Sequence, residues 1–373
     1  MKIRLERDVL ADAVAWTARS LPARPSVPVL AGLLLEADDN QLTLSGFDYE
    51  VSGRVDVEAD VTDAGKVLVS GRLLAEIARS LPNRPVEIST DGAKVVVKCG
   101  SARFTLLTLP VEDYPALPTM PDASGTVPSD IFATAVSQVA IAACRDDTLP
   151  SLTGVRIQIE DETVTLAATD RYRLAVRELT WKPQTPGASA VALVPARNLA
   201  ETAKSLTGDI TLALSTAGGD GIIGFEAGGR RTTTRLLKDE FPKYRALFPN
   251  ESNALATVET APFVEAAKRV ALVAERNAPV RLSFTDGQVV LEAGSGEEAQ
   301  ASEAVEASLD GEDITIAFNP AYLLDGFGSL DSPFAQLAFT APTKPAVLTG
   351  KADRDAEAAT DYRHLLMPVR LSG

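Results

Sequence analysis

The chain is short of the residues on which most enzymes and secreted modules depend. Its 373 residues include one histidine, His364. That excludes a histidine cluster around a metal and leaves no redundancy for a Ser-His-Asp arrangement. Two cysteines, Cys99 and Cys144, stand far apart with no Cys-x-x-Cys partner, which excludes a disulfide framework and suggests a reducing compartment. No apolar run approaches the roughly 18–20 residues a membrane span needs. The opening Met1-Lys2-Ile3-Arg4-Leu5-Glu6-Arg7-Asp8 alternates charge with apolar residues and lacks a signal-like apolar core, so the expected location is the cytoplasm. Positive charge is also scarce, with 36 Lys and Arg against 51 Asp and Glu and a net charge of -15. Evenly spread, that balance would argue against nucleic acid, whose non-specific binding comes from Lys and Arg neutralising phosphates. Gly218-Gly219-Asp220-Gly221 has no following Lys-Ser and reads as a hairpin turn rather than a phosphate cradle. Neither a metal nor a cofactor is expected.

What the chain does contain is a repeat. Val29-Leu30-Ala31-Gly32-Leu33-Leu34-Leu35, running on to Asp48, aligns without a gap with Leu152-Thr153-Gly154-Val155-Arg156-Ile157 through Asp170. Gly32 and Gly154, Leu44 and Leu166, and Asp48 and Asp170 each differ by 122. A looser third copy is Val280-Arg281-Leu282-Ser283-Phe284 through Leu291. Three copies predict three domains, 1–122, 123–252 and 253–373, with boundaries near 119–127 and 250–258.

Each copy opens on an amphipathic helix. The first, over 8–21, presents Val9, Ala13, Trp16 and Leu21 and ends at Leu21-Pro22. Its counterparts span 129–143 and 260–274, with Ser129 or Asp130 and then Thr260 as N-cap residues and Pro262 in the first turn. Strand pairs follow across Asp38-Asp39-Asn40, Asp161-Glu162 and Thr285-Asp286-Gly287. A second helix (70–81, 195–206, 319–327) and further hairpins complete each unit. The expected fold class is α+β, with two helices packed on one side of an antiparallel sheet in each domain.

Charge is unevenly placed along this pattern. The second helices carry Arg72, Glu76 and Arg79, then Arg197, Glu201 and Lys204, while acid gathers over 50–63, 292–306 and 353–357. A basic helical face on an acidic body is consistent with a polyanion held against one surface, but charge alone favours ordinary solvated helix faces. The acidic pairs Asp146-Asp147 and Asp161-Glu162 sit where turns are expected, so no catalytic site is convincing. An enzyme acting on nucleic acid or sugar through Asp48 and Asp170 is the catalytic alternative. Two equivalent acids in two repeats more simply serve the same turn.

Three stretches then matter together: Ser20-Leu21-Pro22-Ala23-Arg24-Pro25 at the start, Ala168-Thr169-Asp170-Arg171-Tyr172-Arg173-Leu174 in the middle, and Leu366-Met367-Pro368-Val369-Arg370-Leu371 at the end. With the threefold repeat they closely resemble the bacterial DNA polymerase III beta subunit family, the sliding clamps, over the whole chain. Arg145-Asp146-Asp147-Thr148-Leu149-Pro150 resembles the actinobacterial branch. The resemblance implies the DNA clamp fold, a head-to-tail homodimer whose six domains close a ring on duplex DNA, and a processivity factor without catalysis of its own. The alternative is a protein-binding scaffold that never encircles DNA.

The resemblance also implies site residues. Arg19, Arg24, Arg72, Arg79, Arg197, Lys204, Lys268 and Arg269 would face DNA without reading its sequence. Arg24 among them matches a family contact position, and the others follow from helix placement. The dimer seam would join the strand of Arg103 and Phe104 to the acidic stretch Glu297, Glu298 and Glu303, with Phe104 near Leu272 and Val273 of the partner copy and Arg72 or Arg103 facing the glutamates; alternatively Phe104 belongs to its own core. Peptides of the replicative polymerase, clamp loader and repair proteins would dock in a groove formed by Leu152, Thr169, Arg171, Arg173, Leu174, Pro242, Leu247, Asn319, Tyr322, Pro345, Met367, Pro368, Val369 and Arg370. Arg171-Tyr172 stand where many members have Gly-His, and Ala246 where some have Arg, so the groove's shape and preference are this chain's own.

Overall fold

A computed structural model describes residues 1–215, 221–275, 278–294 and 299–370. It contains six α-helices among those residues: α1 (Arg7–Thr17), α2 (Gly71–Ser80), α3 (Ser129–Ala140), α4 (Ala196–Ser205), α5 (Thr260–Ala271) and α6 (Pro320–Gly328). Every strand pairing is antiparallel. The chain divides into two compact units, one of Met1–Phe132, Trp181–Ala188 and Glu201–Leu236, the other of Ala133–Thr180, Ser189–Ala200 and Leu237–Gly373.

The first unit is built on a 14-stranded sheet that carries strands of two repeats. The join is Val51–Glu58 lying antiparallel to Arg230–Arg235, where Thr232 Oγ1 donates to the Ser52 carbonyl at 2.8 Å. α1 buries Leu10, Ala13, Val14 and Trp16. Ala13 and Trp16 are buried as expected, but Val9 is 40% exposed and Leu10 takes its place, and the α-helix gives way after Thr17 to a 3₁₀ turn over Ala18–Ser20. Gly46 and Gly53 let that turn sit against the sheet, because a Cβ at either would meet the Ser20 hydroxyl within 2.9 Å. α2 starts at Ser70, whose hydroxyl accepts from the Leu73 amide. Burial alternates over Val86-Glu87-Ile88 in the strand Val86–Asp91, whereas Lys94–Cys99 buries Val95, Val96 and Val97 in succession.

A 12-stranded sheet forms the second unit, running from Ser189–Pro195 through Arg173–Thr180 and Tyr362–Leu366 to Ile314–Phe318. Its third-repeat core stacks Phe263 of α5 on Phe327 of α6 with ring centres 4.3 Å apart, over Leu282, Leu291, Leu337 and Leu348. α6 opens on Asn319, whose Oδ1 accepts from the Ala321 and Tyr322 amides. The expected cap at Thr260 is absent. Glu259 holds the cap position without a side-chain bond, Thr260 is the first helical residue, and its buried hydroxyl has no partner. The turns expected from sequence carry left-handed backbone at Asp39, Asn40, Asp161 and Gly287. The turn over Gly218-Gly219-Asp220 lies outside the described residues.

Candidate partner groove and the surfaces around it

The expected groove residues all belong to the second unit, and several of them sit at a turn where one strand hands over to the next. Thr163–Thr169 ends in a tight turn into Arg173–Thr180, closed by Asp170, whose Oδ1 accepts from the amides of Tyr172 and Arg173 at 3.0 Å each. Thr169 Oγ1 donates to the Arg173 carbonyl at 2.6 Å and accepts from the Arg171 amide. The first repeat makes the same turn: Asp48 Oδ1 accepts from Glu50 and Val51, and Tyr49 has φ +74° where Arg171 has φ +80°. Asp48 and Asp170 are therefore spent on backbone amides, which removes the ground for reading them as a catalytic pair. Asp146 is likewise a turn residue, held below the usual carboxylate range by bonds from the Thr148 amide and hydroxyl.

Arg173 fixes this turn to α6. Its Nε donates to Asp170 Oδ2 at 3.0 Å, its NH1 to Asp325 Oδ2 at 2.6 Å, and its guanidinium lies 4.5 Å from the Tyr322 ring centre. With 5% exposure it is a buried strut and not a free peptide ligand. Leu174 is also buried, packed with Ala167, Val176, Tyr244 and Leu365 and flanked by Phe241 and Phe248. Leu152 and Thr169 are buried too. These four hold up the groove from below.

Its accessible walls come from other residues. Tyr172, 53% exposed, stacks on Tyr322 with ring centres 6.1 Å apart. Burial, and then the Asp170 carboxylate, push the Tyr322 phenol up. Met367 is 40% and Leu247 51% exposed, and Arg171, Pro242 and Arg370 are exposed as well. Pro345, Pro368, Val369 and Asn319 are partly covered. Strand Tyr362–Leu366 pairs with Arg173–Thr180, and the chain beyond it stays tied down, the Met367 amide donating to the Tyr172 carbonyl at 2.9 Å and that of Val369 to Ala317 at 2.8 Å. The terminal segment is thus tied to the Arg171–Tyr172 turn, which in turn stacks on α6 through Tyr322. Sequence reading named Tyr322 but missed Asp325 and the stacking of Tyr172 on Tyr322; only the departure at Arg171-Tyr172 signalled that this part differs.

The eight expected DNA-facing cations are all exposed. Lys268 is paired to Glu265 and Arg269 to Glu303, at 2.8 and 2.6 Å. The other six make no ion pair among the described residues, and Arg72 and Arg79 line a cleft of about 590 Å³ with Leu21, Pro22 and Ser70.

Both expected seam strands have an open edge. Ala102–Leu109 pairs with Lys94–Cys99 along one side, but with Gly65–Ser70 only at Thr108 and Leu109, leaving 102–107 unpaired on the other. Phe104 is 36% and Leu107 72% exposed, so Phe104 is not a core residue of its own domain. Ala301–Gly311 pairs along Gly287–Ala293, while Ala254–Glu259 covers only 307–311, leaving 301–306 open. Leu272 is 84% exposed. The expected acidic stretch is shorter than anticipated as a strand, which starts at Ala301, and Glu297 and Glu298 lie outside the described residues. Glu303 is held by its own Arg269 in this chain.

Three copies of one α+β domain of helices and antiparallel strands are the architecture of a sliding clamp. The fold matches the crystal structure of the DNA polymerase sliding clamp from Bacillus subtilis at TM-score 0.92 and 26% identity, covering all of both chains. A sliding clamp from Pseudomonas aeruginosa solved bound to griselimycin matches at TM-score 0.92 and 27% identity, again over the whole of both. Among relatives, the beta sliding clamp of Streptomyces coelicolor is 68% identical over all of both chains. That of Micrococcus luteus is 53% identical over 83% of this chain and all of its own. Models of the N-terminal, central and C-terminal domains of the DNA polymerase III beta subunit match residues 1–118, 126–243 and 245–370. The chain belongs to the DNA polymerase III beta subunit family, and its two relatives just named are actinobacterial. As a member it is a sliding clamp rather than an enzyme.

Proposed function

We propose that two copies of the chain join head to tail into a ring around duplex DNA and tether the replicative polymerase and other DNA-processing proteins, which hold the ring by peptides lying in the groove. The observation that carries this reading is the pair of unlike open edges: 102–107 brings Arg103 and exposed apolar residues, and 301–306 brings Glu303 and Glu306. An edge that meets a different edge makes a heterologous contact, which closes into a ring when the rotation permits. The repeats divide the chain at 1–122, 123–252 and 253–373, and the work is placed in the cytoplasm. No helix is long and apolar enough to cross a membrane among the described residues.

The unpaired cations Arg19, Arg24, Arg72, Arg79, Arg197 and Lys204 suit a lining that attracts phosphates without reading bases. Such contact is weak in salt, so retention must come from topology. The test is to load the protein with a clamp loader on nicked circular DNA and then linearise the DNA. Slow loss from circles and rapid loss from linear DNA is expected. Equal loss from both would overturn the ring and favour a scaffold that does not encircle DNA.

A further inference from the structure

Two corners of the molecule hold equivalent places in their repeats and are finished differently. In the first unit, Trp16 of α1 donates through Nε1 to the Ser205 carbonyl at the end of α4, at 3.2 Å. Arg230 completes this corner. Its NH1 donates to the same carbonyl at 3.3 Å, its NH2 pairs with Asp12, and its guanidinium lies 5.5 Å from the Trp16 ring centre. The chain thus supplies its own guanidinium to a carbonyl, a carboxylate and an aromatic face.

The second unit builds the same corner from α3 and α6. Gln138 stands 122 residues after Trp16, the offset between the first two repeats, and its Nε2 donates to the Ser329 carbonyl just past α6 at 3.0 Å. Thr134 stands 122 after Asp12. Strand register gives the last equivalence: Arg230 lies opposite Val55, and 122 residues beyond Val55, Arg177 lies opposite Tyr362. A phenol therefore stands in the register position of the first corner's guanidinium, and it turns to Ser329, His364 and the Gln138 carbonyl. Arg177 does not take over the part of Arg230, because its NH1 goes to Asp361 at 2.6 Å. The corner opens instead into a cavity of about 540 Å³ whose lining includes Thr134, Gln138, Arg177 and Tyr362.

This cavity is rich in unused acceptors. Gln138 is 6% exposed, and its Oε1 has no partner. Asp331 and Glu357 belong to the lining and form no ion pair among the described residues. Glu357 closes the acidic stretch 353–357, in which Asp353 accepts from the amides of Asp355 and Ala356 and Arg354 pairs with Glu306. The ammonium of Lys351 goes to the Thr257 hydroxyl and the Arg354 carbonyl. Arg177 and Lys351 against Asp331, Glu357 and Asp361 leave the lining with one negative charge in excess, which a cation balances and an anion aggravates.

We infer that this corner of the second unit is a binding site for a guanidinium cation from outside the chain, received where the first unit places Arg230. The planar fork of N–H donors suits the carboxylates of Asp331 and Glu357, as it suits Asp12 in the first corner. Both acids are exposed or half-exposed at the rim, so the gain is modest and salt-sensitive. A free small molecule and an arginine side chain of another protein carry the same group. The inference depends neither on the ring nor on the peptide groove.

The experiment titrates the full-length protein by calorimetry with three probes: ethylguanidinium, N-acetyl-arginine amide, and N-acetyl-citrulline amide as the neutral isostere of the second. Binding of a guanidinium probe with a Kd on the order of 1 mM is expected, with the citrulline compound at least about fivefold weaker and the difference fading with salt. The double variant Asp331→Asn with Glu357→Gln is expected to weaken guanidinium binding about fivefold at an unchanged melting temperature, since neither acid is paired. Thr134→Asp with Tyr362→Arg rebuilds the first corner and is expected to abolish binding by filling the site from within; should it fail to fold, the acid double variant decides alone. A clear preference for N-acetyl-arginine amide over ethylguanidinium identifies an arginine of another chain as the ligand, and equal binding identifies a free cation. No binding of either guanidinium probe at about 20 mM, equal binding of the citrulline compound, or binding that ignores the acid double variant overturns the inference.

Discussion

His364 is fully buried, and burial with help from the Arg173 charge pulls its pKa down to about 3. Its Nδ1 meets the Tyr362 hydroxyl at 3.0 Å, and that hydroxyl also reaches Ser329 Oγ and the Gln138 carbonyl. Nε2 has no partner. A neutral ring protonated at Nδ1 leaves only a bare acceptor at Nε2, which costs less than an orphaned N–H. The sign of the pH effect follows from the depressed value. Between the unfolded value of about 6.5 and the folded value of about 3, the unfolded chain binds the extra proton, so stability is full above the upper limit and falls as pH drops through this window. The slope from this one group approaches about 1.4 kcal/mol per pH unit. His364→Gln, which retains a donor for the Tyr362 hydroxyl oxygen, is expected to flatten the acid limb of a urea-midpoint profile between pH 6.5 and 3. An unchanged limb would show that the histidine is not its source. A single histidine was enough to exclude a metal cluster, but its bond to Tyr362 was not legible, because nothing in the spacing of a strand says which neighbours cover it.

At the scale of elements, α6 shows how a short helix places a binding wall. Asn319 caps it through Oδ1 at 2.9 Å from the Ala321 amide and 3.3 Å from that of Tyr322, so the cap and the groove aromatic share one bond. Asn319→Ala is expected to cost about 1 kcal/mol and to weaken peptide binding, while Asn319→Asp, an equally good cap, restores both. Denaturant midpoints and anisotropy on the same samples check this; a binding loss that Asp does not rescue would mean that Asn319 touches the peptide itself. The helices and hairpins were readable because apolar spacing and turn residues are local, and the repeat multiplied each signal by three. Val9 and Thr260 were misread because packing, not periodicity or composition, decides which helix face is buried and where a cap forms. The 14- and 12-stranded sheets were not readable at all. Val51–Glu58 meets Arg230–Arg235 across nearly two hundred residues, and edge pairing at that distance leaves no pattern in either strand. The turn from Thr169 to Leu174 could be placed from the repeat, but Asp325 could not, since its role exists only once Arg173 has reached it.

On the scale of the whole molecule, the two open edges decide what the chain becomes. Leu272, just beyond α5, is 84% exposed and takes part in no core of its own chain. A large apolar side chain so placed contributes nothing to the isolated protomer, and covering it at a seam yields on the order of 1.5–3 kcal/mol per copy. The Arg269–Glu303 pair beside it is exposed, and its mutual influence holds the Glu303 carboxyl below its ordinary range, so this charge persists through mild acid. Leu272→Asp is therefore expected to leave the melting of each protomer nearly unchanged but to convert the proposed dimer to monomer, since at that seam it would bury a carboxylate against an acidic strand. Sedimentation velocity over a dilution series reads the outcome directly. Loss of the dimer with an intact fold supports a seam at α5, and in that case retention on circular DNA must fall in step, because an open ring holds DNA only by salt-sensitive contacts. A variant that remains dimeric, or one that turns monomeric while still retained on circles, would separate the seam from the ring.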